Sequence, residues 1–281
     1  RRQRQMCIRD RYYEDFREEL AVPKTFRDYN RVASFFTRGC NAASPTQYGS
    51  TVAIGNVVVS PSEFMPRLFA ENGRLLDSQG RITLDTPEAL RALENYRETY
   101  SYSDRTIYDF WKNALEGFAD GTAAMTVVFI NYASHILNSQ MSRIAGKLGF
   151  APVPGGKPLL GGGVIGIAQS CTCPAAACKF LEWLYADLVA PVFTMLGGLS
   201  PCRSAYSNRD ISEQYPWLST ARKSFPTAQR RSNSTYYQNF SELQLETILA
   251  AHVQQAVLGV CSPEEALKQA QEDCNRYFQP W

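Results

Sequence analysis

Along most of the chain, apolar residues return every three or four positions, and short alternating or continuous apolar runs fall between those stretches. In PKTFRDYNRVASFF, Phe26, Tyr29, Ala33 and Phe36 share one helical face, with Thr25 at the N-cap and Asp28 at the reciprocal capping position. TPEALRALENYRETY repeats the device: Thr86 caps, Pro87 takes the first helical position, and Leu90, Leu93 and Tyr96 lie on one side. Between the two, GRLLDSQGRITLDT alternates around a glycine and predicts a small hairpin.

Further on, YDFWKNALEGFADGTAAMTVVFI predicts a helix carrying Phe110, Trp111, Leu115 and Phe118, a stop at Asp120-Gly121, and then a buried strand. KLGFAPVPGGKPLLGGGVIGIAQ predicts two short strands joined through a Pro-Gly-Gly turn. CPAAACKFLEWLYADLVAPVFTMLGGLSP predicts a helical pair ended by Gly197-Gly198. SELQLETILAAHVQQAVLG predicts a long helix, and SPEEALKQAQEDCNRYF a last one, with Ser262 as cap, Pro263 at the first position and Glu265 completing the capping box. Helices and strands alternate, which is the α/β pattern, and no internal repeat is present.

The opening RRQRQMCIRDR stands outside that pattern. Taken alone it is a basic arm suited to nucleic acid or an anionic membrane. It also matches the in-frame translation of a transposase adapter used in sequencing libraries, so residues 1–11 are expected to be a non-native scar, with the natural N-terminus lost. The whole chain carries a formal net charge of +2; without the four Arg and one Asp of residues 1–10, 25 basic residues face 26 acidic ones. No basic face then remains, and no nucleic-acid partner is expected for the chain.

At 281 residues and 44% apolar content, the chain is long enough for one large or two medium cores. Its longest apolar run, AAMTVVFI, is strand length, well short of the roughly 20 residues that span a bilayer as a helix. Cys40, Cys171, Cys173, Cys178, Cys202, Cys261 and Cys274 are scattered and odd in number, a poor disulfide framework. Cys171, Cys173 and Cys178 lack the paired C-x-x-C spacing of zinc sites and a fourth ligand nearby, so no metal is expected. His135 and His252 are the only histidines, and neither sits in a triad, zinc or phosphate motif. Glu14, Asp15, Glu18 and Glu19 are spaced like a solvated helix face. The residues point away from an enzyme and from a bound cofactor.

Several phrases in order carry a resemblance: YYEDFREELAVPKTFRDY, FADGTAAMTVVFINYASHI, LGFAPVPGGKPLLGGGVIGIAQ, AAACKFLEWLYADLVAPVFTMLGGLSPCRSAY and SPEEALKQAQ. Together they are similar to the extracellular solute-binding proteins of ABC importers, in the group that includes maltose- and glycerol-phosphate-binding proteins. The resemblance implies a type II periplasmic-binding-protein fold of two α/β lobes with the N-terminal lobe largely missing. Residues 12–150 and 206–281 are then expected in the C-terminal lobe, and 151–205 as a returning piece of the N-terminal one. It implies a monomeric, non-enzymatic protein, extracellular or periplasmic and lipid-anchored, that captures a carbohydrate in an inter-lobe cleft and delivers it to ABC permease subunits. The seven cysteines beyond the opening suggest an alternative, the cytosolic ligand-sensing module of a transcription regulator whose DNA-binding domain lies outside this chain.

Sugar recognition needs aromatic faces for C–H patches and planar polar groups for hydroxyls. Where such proteins present Gly-x-Trp after the A-A-M phrase, this chain has Val128-Phe129-Ile130-Asn131-Tyr132, so the resemblance puts the Asn131 amide and the Tyr132 ring at the ligand. In Gly161-Gly162-Gly163, Gly162 and Gly163 match glycines that let backbone amides approach a ligand. Arg203, after Gly-Gly-Leu-Ser-Pro-Cys, offers a fork for hydroxyls or a carboxylate. Tyr236, Tyr237 and Phe240 resemble cleft-lining aromatics, and Phe64 in SPSEFMPRL the tip of a cleft-lining helix. Each has a structural alternative: a first helical aromatic at Tyr132, an ordinary turn at the glycines, an internal salt bridge at Arg203, and core packing for the other rings.

Overall fold

A computed structural model describes residues 2–55, 58–163, 165–196, 198–207, 209–230 and 233–281. In chain order its elements are α1 (Arg2–Phe16), α2 (Phe26–Phe35), β1 (Tyr48–Ser50), α3 (Val59–Ala70), α4 (Pro87–Ser101), α5 (Trp111–Ala119), β2 (Ala123–Met125), α6 (Ala133–Leu137), α7 (Pro174–Leu184), α8 (Ala190–Met195), α9 (Ser204–Ser207), α10 (Arg209–Gln214), α11 (Pro216–Ser224), α12 (Glu242–Leu258) and α13 (Pro263–Tyr277). The cap chemistry sets several of these starts. Thr25 and Asp28 form the reciprocal box at α2, Thr86 Oγ1 accepts the Ala89 N–H at α4, and Ser262 Oγ accepts the Glu265 N–H at α13. The Glu265 carboxylate accepts a hydrogen bond from Gln269. Gly259, left-handed at φ 78°, closes α12.

Two compact units result. Unit 1 comprises Arg1–Val127, Val153–Lys157 and Ser232–Trp281; unit 2 comprises Val128–Pro152 and Pro158–Arg231.

In unit 1, α12 lies against α13, α3 and α4, and α3 against α4. Leu93, Tyr96, Leu245, Leu249, Val253, Leu267 and Phe278 are buried there, each apolar side chain worth about 1.5–3 kcal/mol once removed from water. β1 and β2 pair in parallel, Tyr48 opposite Ala123 and Ser50 opposite Met125. Among the described residues of this unit, Glu63, Arg67 and Glu246 are charged and buried. Arg67 Nη1 lies 3.2 Å from Glu63 Oε2, with side chains 2% and 5% exposed, and the guanidinium is 4.7 Å from the ring centres of both Phe26 and Tyr96. Glu63 also accepts from the Ala53 N–H and from Trp111. Gln254 Nε2 donates to the carbonyls of Ile54 and Gly55 at 2.8 Å each, fixing the approach to α3 from α12.

In unit 2, Ala133, Ala190, Ala205, Tyr206, Trp217, Leu218 and Ala221 form the core. α7 contributes nothing to it: none of its 11 residues is buried, and Phe180 and Trp183 are exposed with their rings 5.8 Å apart. The strands expected after Met125 and across residues 147–169 are not formed among the described residues; Leu159 makes a single parallel bridge to Gln229. Strand hydrogen bonds come from neighbouring chain, and Ile165 and Ile167 remain exposed. Val164 and Gly197, within the expected strand and helix stop, lie outside the described residues.

Candidate functional site

In unit 2, Asn131, Tyr132 and Arg203 lie next in sequence to residues of the core. After β2 the chain runs extended to Phe129 (φ −62°, ψ 139°) and makes a 3-10 turn over Ile130–Tyr132 that feeds α6. Ile130 packs onto the Tyr206–Trp217 cluster, while Asn131 is exposed and Tyr132 half-buried. The Asn131 side-chain amide has no protein partner among the described residues; its backbone carbonyl accepts Ser134 Oγ.

Gly161 approaches that turn closely. A Cβ there would stand 2.8 Å from Phe129 Cε1, so any side chain would have to push that ring aside. Leu160 N–H bonds the Gln229 carbonyl and Gly161 N–H the Leu159 carbonyl, which pins the start of the glycine run. Beyond it, Gly162 and Gly163 are exposed, with open space where their side chains would be.

Arg203 stands just before α9, whose Ala205 and Tyr206 pack into the same cluster as Ile130. Its carbonyl accepts the Tyr206 N–H at 3.0 Å and Ser207 Oγ at 2.9 Å. Its guanidinium is exposed and forms no salt bridge among the described residues. Below it, Tyr206 donates to the Ser200 carbonyl, and burial, then the neighbouring Cys202, pushes its hydroxyl pKa up to about 12. Asn131 and Tyr132 thus adjoin Ile130 and Ala133 of that core, Arg203 precedes its Ala205 and Tyr206, and the glycine run meets Phe129.

The unit 1 candidates fare differently. Phe64 has 0% exposure inside α3, so its ring is a core residue and presents no face to a ligand. Tyr237 is 8% exposed; its Oη accepts the Ile82 N–H at 2.9 Å, and its ring packs on Phe240 and Phe278. The two placements share one cause: helical and loop aromatics in this sequence look alike whether they fill a core or border a cleft. Phe240 is half-buried, and so is Tyr236. Its polar neighbours Asp77, Arg81 and Asn275 escaped notice in the sequence, where they read as hairpin and helix-surface positions.

Among the described residues no three His, Cys, Asp or Glu side chains converge as a metal-holding group, and Cys171, Cys173 and Cys178 are free thiols. Among the described residues no helix is long and apolar enough to cross a membrane.

The model of a family described as bacterial extracellular solute-binding protein matches residues 5–220. The chain belongs to that family. Among sequence relatives of this solute-binding protein are a probable amino-acid ABC transporter periplasmic-binding protein of Sinorhizobium fredii, 21% identical over 70% of this chain and 44% of its own, and the putative ABC transporter periplasmic-binding protein YcjN of Escherichia coli, 26% identical over 42% of this chain and 25% of its own. The match thus spans less than half the length of either. Among solved structures, it is similar to a solute-binding protein of Agrobacterium radiobacter in complex with ribitol (TM-score 0.74, 22% identity, 96% of this chain and 68% of that one) and to maltose-bound MalE3 of T. maritima (TM-score 0.77, 21% identity, 95% and 68%). The solute-binding-protein fold expected from the sequence is therefore the fold observed.

Proposed function

We propose that this chain is part of the solute-capturing component of an ABC importer, that its solute is a neutral carbohydrate or sugar alcohol, and that it binds without transforming it. The observation that carries the reading is the fold shared over 95% of the chain with maltose-bound MalE3, joined by relatives solved with ribitol, D-mannitol and tagatose. The unit 2 residues supply matching chemistry: an unpaired amide at Asn131, a ring at Tyr132, bare backbone at Gly162 and Gly163, and a free fork at Arg203. A permease partner in the membrane, a location outside the cytoplasm, a lipid anchor and a monomeric state belong to the same proposal. The regulator alternative gains no support, because the relatives named above are transport binding proteins.

Calorimetric titration with maltose, D-mannitol, ribitol and a set of amino acids tests it. Heat is expected from the sugar or polyol class and to fall about tenfold in affinity with Asn131→Ala, the loss of one or two ligand hydrogen bonds. Binding of amino acids in place of sugars would overturn the solute class.

A further inference from the structure

Unit 1 carries a groove of about 400 Å³ lined by none of unit 2's residues. Its floor is apolar, made by the buried rings of Tyr237 and Phe278, 5.6 Å apart. Tyr236 borders it, edge-on to Tyr237 at 5.0 Å. The opposite wall is polar. Arg81 Nε donates to Asp77 Oδ2 at 2.7 Å, leaving its two terminal nitrogens without a protein partner among the described residues, and the side chain is 52% exposed. Asn275 accepts from Gln271 through Oδ1 and keeps its NH₂ free.

These groups are held before any ligand arrives. Ser234 Oγ donates to the Gly80 carbonyl and accepts the Tyr236 N–H, tying the hairpin turn to the aromatic strap, and the Trp281 N–H bonds the Tyr236 carbonyl. Arg81 alone would select a phosphate or carboxylate. With Asp77 against it the local charge cancels, and what remains is a set of directional donors and acceptors beside an aromatic ring. That combination satisfies hydroxyls and covers C–H faces. The volume lies at the small end of ligand sites.

We propose that this groove is a second polyol-binding subsite, sized for one sugar ring or a short alditol. It goes beyond the function proposed above, because it uses none of Asn131, Tyr132, Gly162, Gly163 or Arg203, and it joins Tyr236 and Tyr237, aromatics the sequence offered, to Asp77, Arg81 and Asn275, which it did not.

Saturation-transfer NMR on the whole chain tests it, with D-mannitol and maltose as probes and inorganic phosphate as competitor. Transfer is expected to persist in the Asn131→Ala, Arg203→Ala double variant. It is expected to fall about fivefold with Asn275→Leu, which fills the groove from an exposed position and removes one hydrogen bond, and likewise with Arg81→Met. Circular dichroism checks that both variants fold. Absence of transfer from either probe, indifference to both groove substitutions, or displacement by phosphate overturns the subsite. Loss of all transfer in the Asn131, Arg203 variant also overturns it, while leaving the function proposed for unit 2 standing.

Discussion

Replacing Glu63 by alanine removes the carboxylate 3.2 Å from Arg67 and strands a guanidinium whose side chain is 2% exposed. Breaking one side of a buried pair costs about 3–5 kcal/mol, because the remaining charge is left uncompensated. Here the loss is expected near the lower bound, about 3 kcal/mol, since Arg67 keeps the Phe26 and Tyr96 faces and its bond to the Glu63 backbone carbonyl. At about 2–4 °C per kcal/mol for a unit of this size, the unfolding midpoint falls by about 6–12 °C. Exchanging both residues, Glu63→Leu with Arg67→Met, returns stability to within about 1 kcal/mol of the parent, because neither charge is then buried alone. Urea unfolding followed by circular dichroism gives the double-mutant cycle. Strictly additive single costs would refute the coupling.

The same carboxyl carries a pH signature. Burial raises the Glu63 pKa above the ordinary value of 4.5, outweighing the attraction of Arg67 and the hydrogen bonds from Arg67, Ala53 and Trp111. The folded state therefore holds a proton more tightly than the unfolded one. The contribution is fully present below 4.5 and is lost as pH rises through the folded value. Glu63→Gln is expected to flatten that decline, and a slope unchanged by the substitution would assign it to other groups.

Two further substitutions probe local packing. Gly49→Ala places a Cβ 1.9 Å from the Ala33 carbonyl oxygen, backbone against backbone, so α2 and β1 must part; a loss of about 3 kcal/mol is expected in urea unfolding, and a loss below about 1 kcal/mol refutes the contact. Tyr237→Phe leaves the Ile82 N–H buried without its acceptor, costing about 1–3 kcal/mol, and amide exchange at Ile82 should quicken.

Helices were legible in the sequence where local chemistry decides them. Thr25 with Asp28, Thr86 with Pro87, and Ser262 with Pro263 marked the starts of α2, α4 and α13 within the residues that form them. Strands were less so. TVVFI and GVIGIAQ have the composition of buried strands, but a strand is completed by the hydrogen bonds of its neighbours, and no ladder forms for them among the described residues. The candidate site divides the same way. In the glycine run the expectation was an approach of backbone to a ligand at Gly162 and Gly163, which face open space, and the close contact within the chain falls on Gly161 against Phe129. At Phe64 and Tyr237, an aromatic at a plausible position carries no mark of which way it faces. Arg81 and Asp77 were invisible because an ion pair across a hairpin turn is an ordinary surface feature until Tyr236 is seen beside it.

The uncovered face of α7 has a practical consequence. Trp183 sits in water at 56% exposure, while Trp217 is enclosed at 1%. The chain has four tryptophans, so once Trp111 and Trp281 are replaced by phenylalanine, Trp183 becomes an intrinsic optical reporter with Trp217 as its internal reference. Any surface laid over Phe180 and Trp183 will shift the indole emission to the blue and shield it from a soluble quencher, and the signal from Trp217 will stay where it is.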